Sequence, residues 1–195
     1  ARGEPGRELQ GEAVGNVLGA PARPHASKER WDRRFLALAE HVAGWSKDPS
    51  TKTGAVIADQ DMLVVSVGYN GFARGVRDDE ARYADRELKY KMVVHCDRNA
   101  ILSARRAVVD CTMYTWPFPP CAPCAAMIIQ AGIVRVVSVP CQPDKLERLR
   151  DDFAIAETMY RESGVMFDVI APRRDPQPDG TRDVCQLYPP RDGTT

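Results

Sequence analysis

The sequence lacks a long hydrophobic run. No stretch of its 195 residues approaches the roughly 18 consecutive apolar residues that a membrane helix needs, and its N-terminus lacks the apolar core of a signal peptide. These absences argue against a membrane partner. They predict a soluble protein that works in the cytoplasm.

The sequence also lacks an excess of charge of either sign. Its 27 lysines and arginines balance 27 aspartates and glutamates, and no long basic run offers a footprint for a phosphate backbone. A nucleic-acid partner is therefore not favoured.

Cysteine is present six times, which in a short secreted chain would suggest disulfides. Without a secretion signal, a reducing compartment is expected, and there a close cysteine pair favours metal ligands or a redox pair. The six are Cys96, Cys111, Cys121, Cys124, Cys141 and Cys185.

The chain length and its 44% hydrophobic content allow one substantial core and hardly two. Residues 1–28 are rich in Gly, Pro, Arg and Glu, which predicts a flexible N-terminal arm. Residues 172–195 predict a Pro-rich C-terminal tail. Residues 29–171 are expected to form the single domain between them.

The hydrophobic pattern of this domain predicts an α/β protein. Apolar residues at helical spacing predict an amphipathic first helix, and two β-prone runs, 54–58 and 63–68, predict an antiparallel hairpin that is followed by a long polar loop. Helices over 95–108, 123–131 and about 146–164 then alternate with strands over 112–116, 134–139 and 165–170. This order predicts a mixed central sheet covered by helices.

The pair Cys121 and Cys124 lies at the start of a predicted helix, where Pro123 suits a first-turn position. Residues three apart share a helix face, and the helix dipole favours thiolates there. A redox pair or half of a structural zinc ribbon would have the same spacing. A ribbon needs a second close pair of ligands, which the sequence does not supply.

His95 upstream completes a more specific pattern. The order is His95-Cys96-Asp97 followed by Pro120-Cys121-Ala122-Pro123-Cys124, with each half opening a predicted helix. One histidine and two cysteines leave a fourth zinc position for water, as in zinc deaminases. His95, Cys121 and Cys124 are therefore predicted to hold a catalytic Zn²⁺.

The residues around these motifs resemble the deoxycytidylate (dCMP) deaminase family of the cytidine deaminase superfamily. The segment 46–57 is similar to that family's first loop and strand, Gly68-Tyr69-Asn70-Gly71-Phe72 is similar to its substrate loop, and residues 86–99 are similar to its approach to the zinc helix. The resemblance spans about residues 31–140. It implies a three-layer α/β/α fold and a pyrimidine nucleotide as substrate, with hydrolysis of dCMP to dUMP and ammonia.

The resemblance also implies substrate contacts and regulation. Asn70 would bond the sugar, and the region from Lys47 to Lys52 would approach the phosphate, although exposed lysines are usually only solvated and Asn70-Gly71 could be a plain turn pair. Tyr69 and Gly71 flank Asn70 in the substrate loop. A homo-oligomer regulated by a nucleoside triphosphate is also implied.

Two positions depart from the family pattern. Asp97 stands where the family has Glu, and Cys96 stands where it commonly has Ala. Asp97 is the expected catalytic proton shuttle but is one methylene shorter than Glu. Cys96 is expected to be a buried side chain whose backbone faces the base, rather than a fourth ligand.

The shorter acid leaves three hypotheses. The first is an active nucleotide aminohydrolase, whose substrate could be a modified pyrimidine. The second is a catalytically weakened protein that binds nucleotide and zinc in a regulatory role. The third, a nucleic-acid editing deaminase, is disfavoured by the neutral charge.

Overall fold

The computed structural model of the chain describes residues 25–171. The predicted C-terminal tail, with Cys185, and most of the predicted N-terminal arm lie outside these residues. The first helix, α1, spans His25–Ala43, so its first turn falls within the arm predicted over residues 1–28.

A five-stranded mixed sheet forms the centre of the domain. The first strand, β1 (Gly54–Ala58), pairs antiparallel with β2 (Val64–Tyr69) on one side and with β5 (Thr112–Trp116) on the other. Beyond β5, two parallel strands follow, β6 (Arg135–Ser138) and β7 (Met166–Val169). The order β2-β1-β5-β6-β7 confirms the predicted mixed sheet.

Helices cover both faces of this sheet. On one face, α1 packs its apolar residues, including Phe35 and Ala39, against β1, β5 and β6. On the other lie α4 (Cys96–Ser103), α5 (Ala122–Gln130) and α6 (Pro143–Ser163). The predicted three-layer α/β/α architecture is therefore confirmed. Among residues 25–171, no helix combines the length and apolarity that crossing a membrane requires.

Two glycines let helices approach the sheet closely. A Cβ atom at Gly68 would lie 2.3 Å from the backbone nitrogen of Ala100 and 2.3 Å from the carbonyl oxygen of Cys96, so α4 rests directly on β2. A Cβ atom at Gly54 would lie 2.1 Å from the carbonyl oxygen of Ala39 in α1. Any side chain at either position would push a helix away from its strand.

The prediction of a long polar loop after Asn70 is wrong. The segment forms two short strands and two short helices instead. It contains β3 (Gly71–Phe72), α2 (Glu80–Ala84), α3 (Arg86–Met92) and β4 (Val93–Val94), with β3 and β4 paired antiparallel. The carboxylates of Asp79 and Asp85 accept hydrogen bonds from N–H groups in the first turns of α2 and α3. These N-caps stabilise helices too short to show hydrophobic periodicity.

The helix predicted over 95–108 is also shorter than expected. It ends at Ser103, and the chain then turns toward β5 through Asp110, whose φ is 60°. The N–H of Asp110 donates to the carbonyl of Gly132 instead of continuing a helix.

Candidate active site

The three predicted metal ligands lie at the N-termini of two neighbouring helices. His95 is the N-cap of α4, Cys121 is the N-cap of α5, and Cys124 lies in the first turn of α5. Neither His95 nor Cys121 caps its helix through its side chain. Their side chains point toward one another instead, so the imidazole and the thiol are available to bind a metal rather than the N–H groups at the helix ends.

The geometry of this cluster fits a tetrahedral zinc ion. The Nδ1 atom of His95 lies 3.4 Å from the Sγ of Cys121 and 3.4 Å from the Sγ of Cys124. Zinc with Zn–S bonds of about 2.3 Å and a Zn–N bond of about 2.0 Å would place nitrogen and sulfur about 3.5 Å apart. Within residues 25–171, this trio is the one group of three His, Cys, Asp or Glu side chains close enough to share a metal ion.

In the metal-free trio the negative charge resides on the thiolate of Cys121, and binding a metal cation would also require Cys124 to lose its proton. A hydrogen bond with Cys124 lowers the pKa of the Cys121 thiol, with His95 adding to the effect against the opposing influence of burial. The hydrogen bond with Cys121 in turn raises the pKa of His95. The positive ends of the two helix dipoles at this site favour the thiolate form of the cysteines. A thiolate beside a histidine ring is the donor set that zinc selects in proteins.

Asp97 lies beside the cluster without belonging to it. Its side chain is 4% exposed, and its Oδ1 atom has no hydrogen-bond partner among residues 25–171. Burial raises the pKa of this carboxyl, and the charge of Cys121 raises it further. A buried carboxyl with a raised pKa and an open acceptor atom suits a group that takes and returns a proton.

Cys96 is buried, as the sequence predicts. Its side chain is 4% exposed, and burial raises the pKa of its thiol well above its ordinary value. The thiol also hydrogen-bonds Thr53, at the residue before β1. Cys96 does not belong to the group of side chains close enough to share one metal ion, so the geometry gives it no place as a fourth ligand.

Asn70 holds the loop before β1 in place. Its side-chain nitrogen donates to the carbonyl of Thr51 at 2.9 Å and to Asp48 at 3.4 Å, and its Oδ1 accepts from the N–H of Thr53 at 2.8 Å. The carbonyl of Asn70 accepts from the hydroxyl of Ser46 at 2.8 Å. The Oδ1 atom keeps one lone pair for a further donor.

A buried ion pair behind this loop was missed by the sequence analysis. The Nζ of Lys89 in α3 lies 3.2 Å from the carboxylate of Asp48 and also donates to the hydroxyl of Ser50. Burial alone would raise the pKa of Asp48, but hydrogen bonds from Ser50, Thr51 and Lys89 outweigh burial and lower it. A single Lys in a charged segment gives no sequence signal of burial.

The remaining predicted substrate residues lie around the same loop. Lys47 is exposed and pairs with Asp78 at 2.7 Å, and Lys52 is exposed. Tyr69 is 41% exposed, and its carbonyl accepts from the side chain of Asn99 at 2.7 Å. At Gly71 a Cβ atom would meet nothing within 4 Å, so the backbone of β3 faces open space.

The fold and the trio together define a zinc-deaminase type of site, and comparisons with known proteins agree. The profile of the cytidine and deoxycytidylate deaminase zinc-binding region matches residues 29–139. The chain is 42% identical over 136 residues to an uncharacterized deaminase in the luxG 3′ region of Aliivibrio fischeri, covering 70% of this chain and 90% of that protein. It is 38% identical over 149 residues to the deoxycytidylate deaminase of Mus musculus, covering 73% and 81%.

A solved structure shows the same fold. The dCMP deaminase of cyanophage S-TIM5, in complex with dCMP and dUMP, superposes with a TM-score of 0.57 at 19% identity, covering 76% of this chain and all of that one. The chain belongs to the cytidine and deoxycytidylate deaminase family. The predicted family and the predicted hydrolase class, an aminohydrolase, are thereby confirmed.

Proposed function

We propose that this chain holds one Zn²⁺ through His95, Cys121 and Cys124 and hydrolyses dCMP to dUMP and ammonia. The observation that carries this proposal is the position of one histidine nitrogen 3.4 Å from each of two cysteine sulfurs, with the buried carboxyl of Asp97 beside them. Three protein ligands leave the fourth zinc position for water or substrate.

The chemistry divides between the metal and Asp97. Zinc supplies the Lewis acidity that makes a water molecule acidic near neutral pH. Asp97 transfers the two protons of the attacking water in turn, the first to the ring nitrogen and the second to the leaving amino group, so that the ring carbonyl and ammonia both form. The raised pKa of Asp97 helps the second half of this transfer, because a weaker base gives its proton up too readily at neutral pH.

The choice of dCMP rests on the curated relatives and on the loop before β1. Relatives from Mus musculus and Homo sapiens carry the name deoxycytidylate deaminase. We assign the free lone pair of Asn70 Oδ1 to the sugar, the exposed ammonium groups of Lys47 and Lys52 to the phosphate, and the open backbone at Gly71 to the nucleotide. We also assign Tyr69 and the backbone of Cys96 to the nucleotide-binding surface beside these residues.

A second candidate is a protein that binds zinc and nucleotide but turns over slowly. The observation that favours it is the aspartate at position 97, whose carboxyl falls short of a glutamate's reach by roughly 1.5 Å, one carbon–carbon bond. A misplacement of about 1 Å can cost on the order of 100-fold in rate.

Ammonia release from dCMP, deoxycytidine and a 5-substituted dCMP separates these candidates. The active deaminase is expected to release ammonia from dCMP, to lose this activity on chelation and to regain it when zinc is added. Its kcat/KM is expected to be higher for dCMP than for deoxycytidine. The second predicts dCMP binding by calorimetry with negligible release. Activity that survives complete loss of zinc would refute both.

The homo-oligomer, the nucleoside triphosphate effector and the cytoplasmic location stay predictions. Sedimentation with and without dCTP or dTTP, alongside rates at subsaturating dCMP, tests the first two.

A further inference from the structure

The side-chain amide of Asn70 is held in one orientation by the backbone around it. The N–H of Thr53 can only donate, so its 2.8 Å contact fixes the position of Oδ1, and the carbonyl of Thr51 can only accept, so its 2.9 Å contact fixes the position of Nδ2. Asn70 is 5% exposed, which leaves the amide little room to turn over. A ligand that reaches Oδ1 therefore meets an acceptor and not a donor.

Asp48 holds the loop that carries these two backbone groups. One of its carboxylate oxygens accepts from the N–H and the hydroxyl of Ser50, each at 2.8 Å, and from the N–H of Thr51 at 3.2 Å. The other oxygen lies 3.4 Å from Nδ2 of Asn70. A single carboxylate thus fixes both the turn of the loop and the donor end of the amide.

Lys89 of α3 completes this network from behind. Its Nζ lies 3.3 Å from one carboxylate oxygen of Asp48 and 3.2 Å from the other, and it donates to the hydroxyl of Ser50. Both side chains of the pair are buried. A buried ion pair often adds little stability over well-packed apolar residues, and what it adds instead is a fixed geometry of the groups around it. The group fixed here is the amide of Asn70.

We propose that Asp48, held by Lys89, is a positioning residue that keeps the Oδ1 of Asn70 available to the sugar and thereby selects nucleotides with a hydroxyl group at C3′. The inference rests on the proposed function, because it deepens the assignment of Asn70 to the sugar. The sugar of dCMP carries one hydroxyl group, and that hydroxyl donates to the free lone pair of Oδ1. The dideoxy analogue, ddCMP, lacks this hydroxyl and leaves the acceptor unpaired.

Asp48→Asn tests this role because it keeps the shape of the side chain and replaces one acceptor atom with a donor. Whichever oxygen becomes nitrogen, the new NH₂ group faces other donors. These are Nδ2 of Asn70 on one side and the N–H groups of Ser50 and Thr51 on the other. The variant therefore disturbs the loop, the amide of Asn70 or both.

The matched control is Asp32→Asn in α1. It makes the same change in a second buried carboxylate, which bonds the buried Arg135 at 2.7 and 2.8 Å. Asp32 has no hydrogen bond to the loop before β1 among residues 25–171. Loss of stability alone therefore affects both variants, whereas loss of sugar recognition affects only Asp48→Asn.

The measurement is the ratio of kcat/KM for dCMP to that for ddCMP. The parent is expected to prefer dCMP about 10-fold or more, because ddCMP leaves a buried acceptor unpaired. Asp48→Asn is expected to reduce this preference to about twofold or less. Asp32→Asn should lower Tm and keep the ratio of the parent. A parent ratio near one, a ratio unchanged in Asp48→Asn or an equal fall in Asp32→Asn overturns the proposal.

Two further variants show whether Asp48 acts through Asn70. In an Asn70→Ala background, Asp48→Asn is expected to leave the ratio unchanged, and a further fall there overturns the proposal. If Asp48→Asn does not fold, Ser50→Ala decides instead, because it removes the hydroxyl that joins Lys89 to Asp48. Ser50→Ala is expected to lower the ratio about threefold, as loss of one hydrogen bond does, and an unchanged ratio counts against the proposal.

A second readout needs no nucleotide. The side-chain amide hydrogens of Asn70, assigned by NMR from their loss in Asn70→Asp, should exchange with solvent at least about 10-fold more slowly than those of the exposed Gln60. Asp48→Asn should remove most of this protection, and Asp32→Asn should not. Equal exchange in the parent and Asp48→Asn overturns the positioning role. If the parent releases no ammonia from dCMP, the proposed function fails, and hydrogen exchange still decides whether Asp48 orients Asn70.

Discussion

At position 97, a single methylene group decides how far the carboxyl proposed as the proton shuttle extends toward the candidate metal site. Asp97 lies in the first turn of α4, and its side chain is buried near Cys121 and His95 of the candidate metal site. In the proposed mechanism, proton transfer to the ring nitrogen depends on how close the first turn of α4 brings this carboxyl to the substrate. This makes position 97 the most informative site for substitution.

Asp97→Ala and Asp97→Asn are expected to lower ammonia release by about 10²- to 10⁴-fold, the usual contribution of a general acid–base group. Both variants should keep one zinc per chain by elemental analysis, since Asp97 is not one of the three ligands. Parent-like kinetics in Asp97→Ala would remove the residue from the mechanism.

Asp97→Glu tests directly whether the carboxyl at position 97 extends far enough toward the substrate. If the pocket has the geometry that suits glutamate, dCMP turnover should rise by up to about 100-fold. If α4 has moved inward to suit aspartate, the extra methylene crowds the substrate and the rate falls. Single-turnover measurements at saturating dCMP distinguish these outcomes from a change in binding.

At this scale, residue chemistry and spacing were sufficient to predict that His95, Cys121 and Cys124 lie close together, because few residue types bind zinc and their order is specific. Zinc binding by the three residues stays a prediction. The buried ion pair of Lys89 with Asp48 was not predictable. It depends on how the short helix α3 packs against the loop before β1, and that packing leaves no local pattern around a single Lys.

Among the secondary-structure elements, the loop before β1 is held by two ion pairs of different character. Lys89 and Asp48 are 9% and 4% exposed at their side chains, whereas Lys47 and Asp78 are 70% and 37% exposed. Removing one partner of a buried pair leaves a charge in a poorly solvated place. Removing a partner of an exposed pair leaves a charge in water.

Lys89→Met is therefore expected to destabilise the protein by about 3 kcal/mol, because Asp48 remains buried without its cation. The control, Lys47→Met, should leave Tm unchanged. Chemical denaturation of both variants measures the difference. Equal stability of the two variants would show that Asp48 is solvated in solution.

The contact of α4 with β2 makes a second prediction at this scale. Gly68→Ala places a methyl group 2.3 Å from the backbone of α4 and should cost about 3 kcal/mol, at the upper end of overpacking effects. Because His95 is the N-cap of α4, zinc retention in the presence of a chelator should fall as well. Gly71→Ala, where a Cβ atom meets nothing within 4 Å, is the stability control.

Long elements with strong periodicity were predicted well, including α1, the hairpin strands and α6. The short elements between β2 and α4 were not, because their stability comes from aspartate N-caps and the β3–β4 pairing rather than from an apolar face. Aspartate is also common in plain loops, so these capping residues did not distinguish a short helix from a loop.

For the whole molecule, the candidate metal site is a cross-link between α4 and α5. Chelation is expected to lower Tm, and zinc at about 100 times its Kd should restore about 2.7 kcal/mol of stability. Calorimetry with and without chelator measures this. Cys121→Ser should show little response to zinc, and a zinc-dependent shift of parent size in that variant would contradict the assignment.

The two ends of the described domain are tied together on one side of the sheet. Arg135 in β6 bonds Asp32 of α1 at 2.7 Å and also contacts Asp168 of β7, while Arg33 of α1 donates to the carbonyl of Ala171 at 2.7 Å. Ala171 therefore lies within reach of the Arg33 side chain, and eight helical residues, a rise of about 12 Å, separate residue 33 from the start of α1. A short Gly-Ser bridge could join these ends, and new termini could open at the exposed turn around Gln60 between β1 and β2. Such a circular permutant should retain the zinc trio, because none of its three ligands lies near the old or the new chain ends.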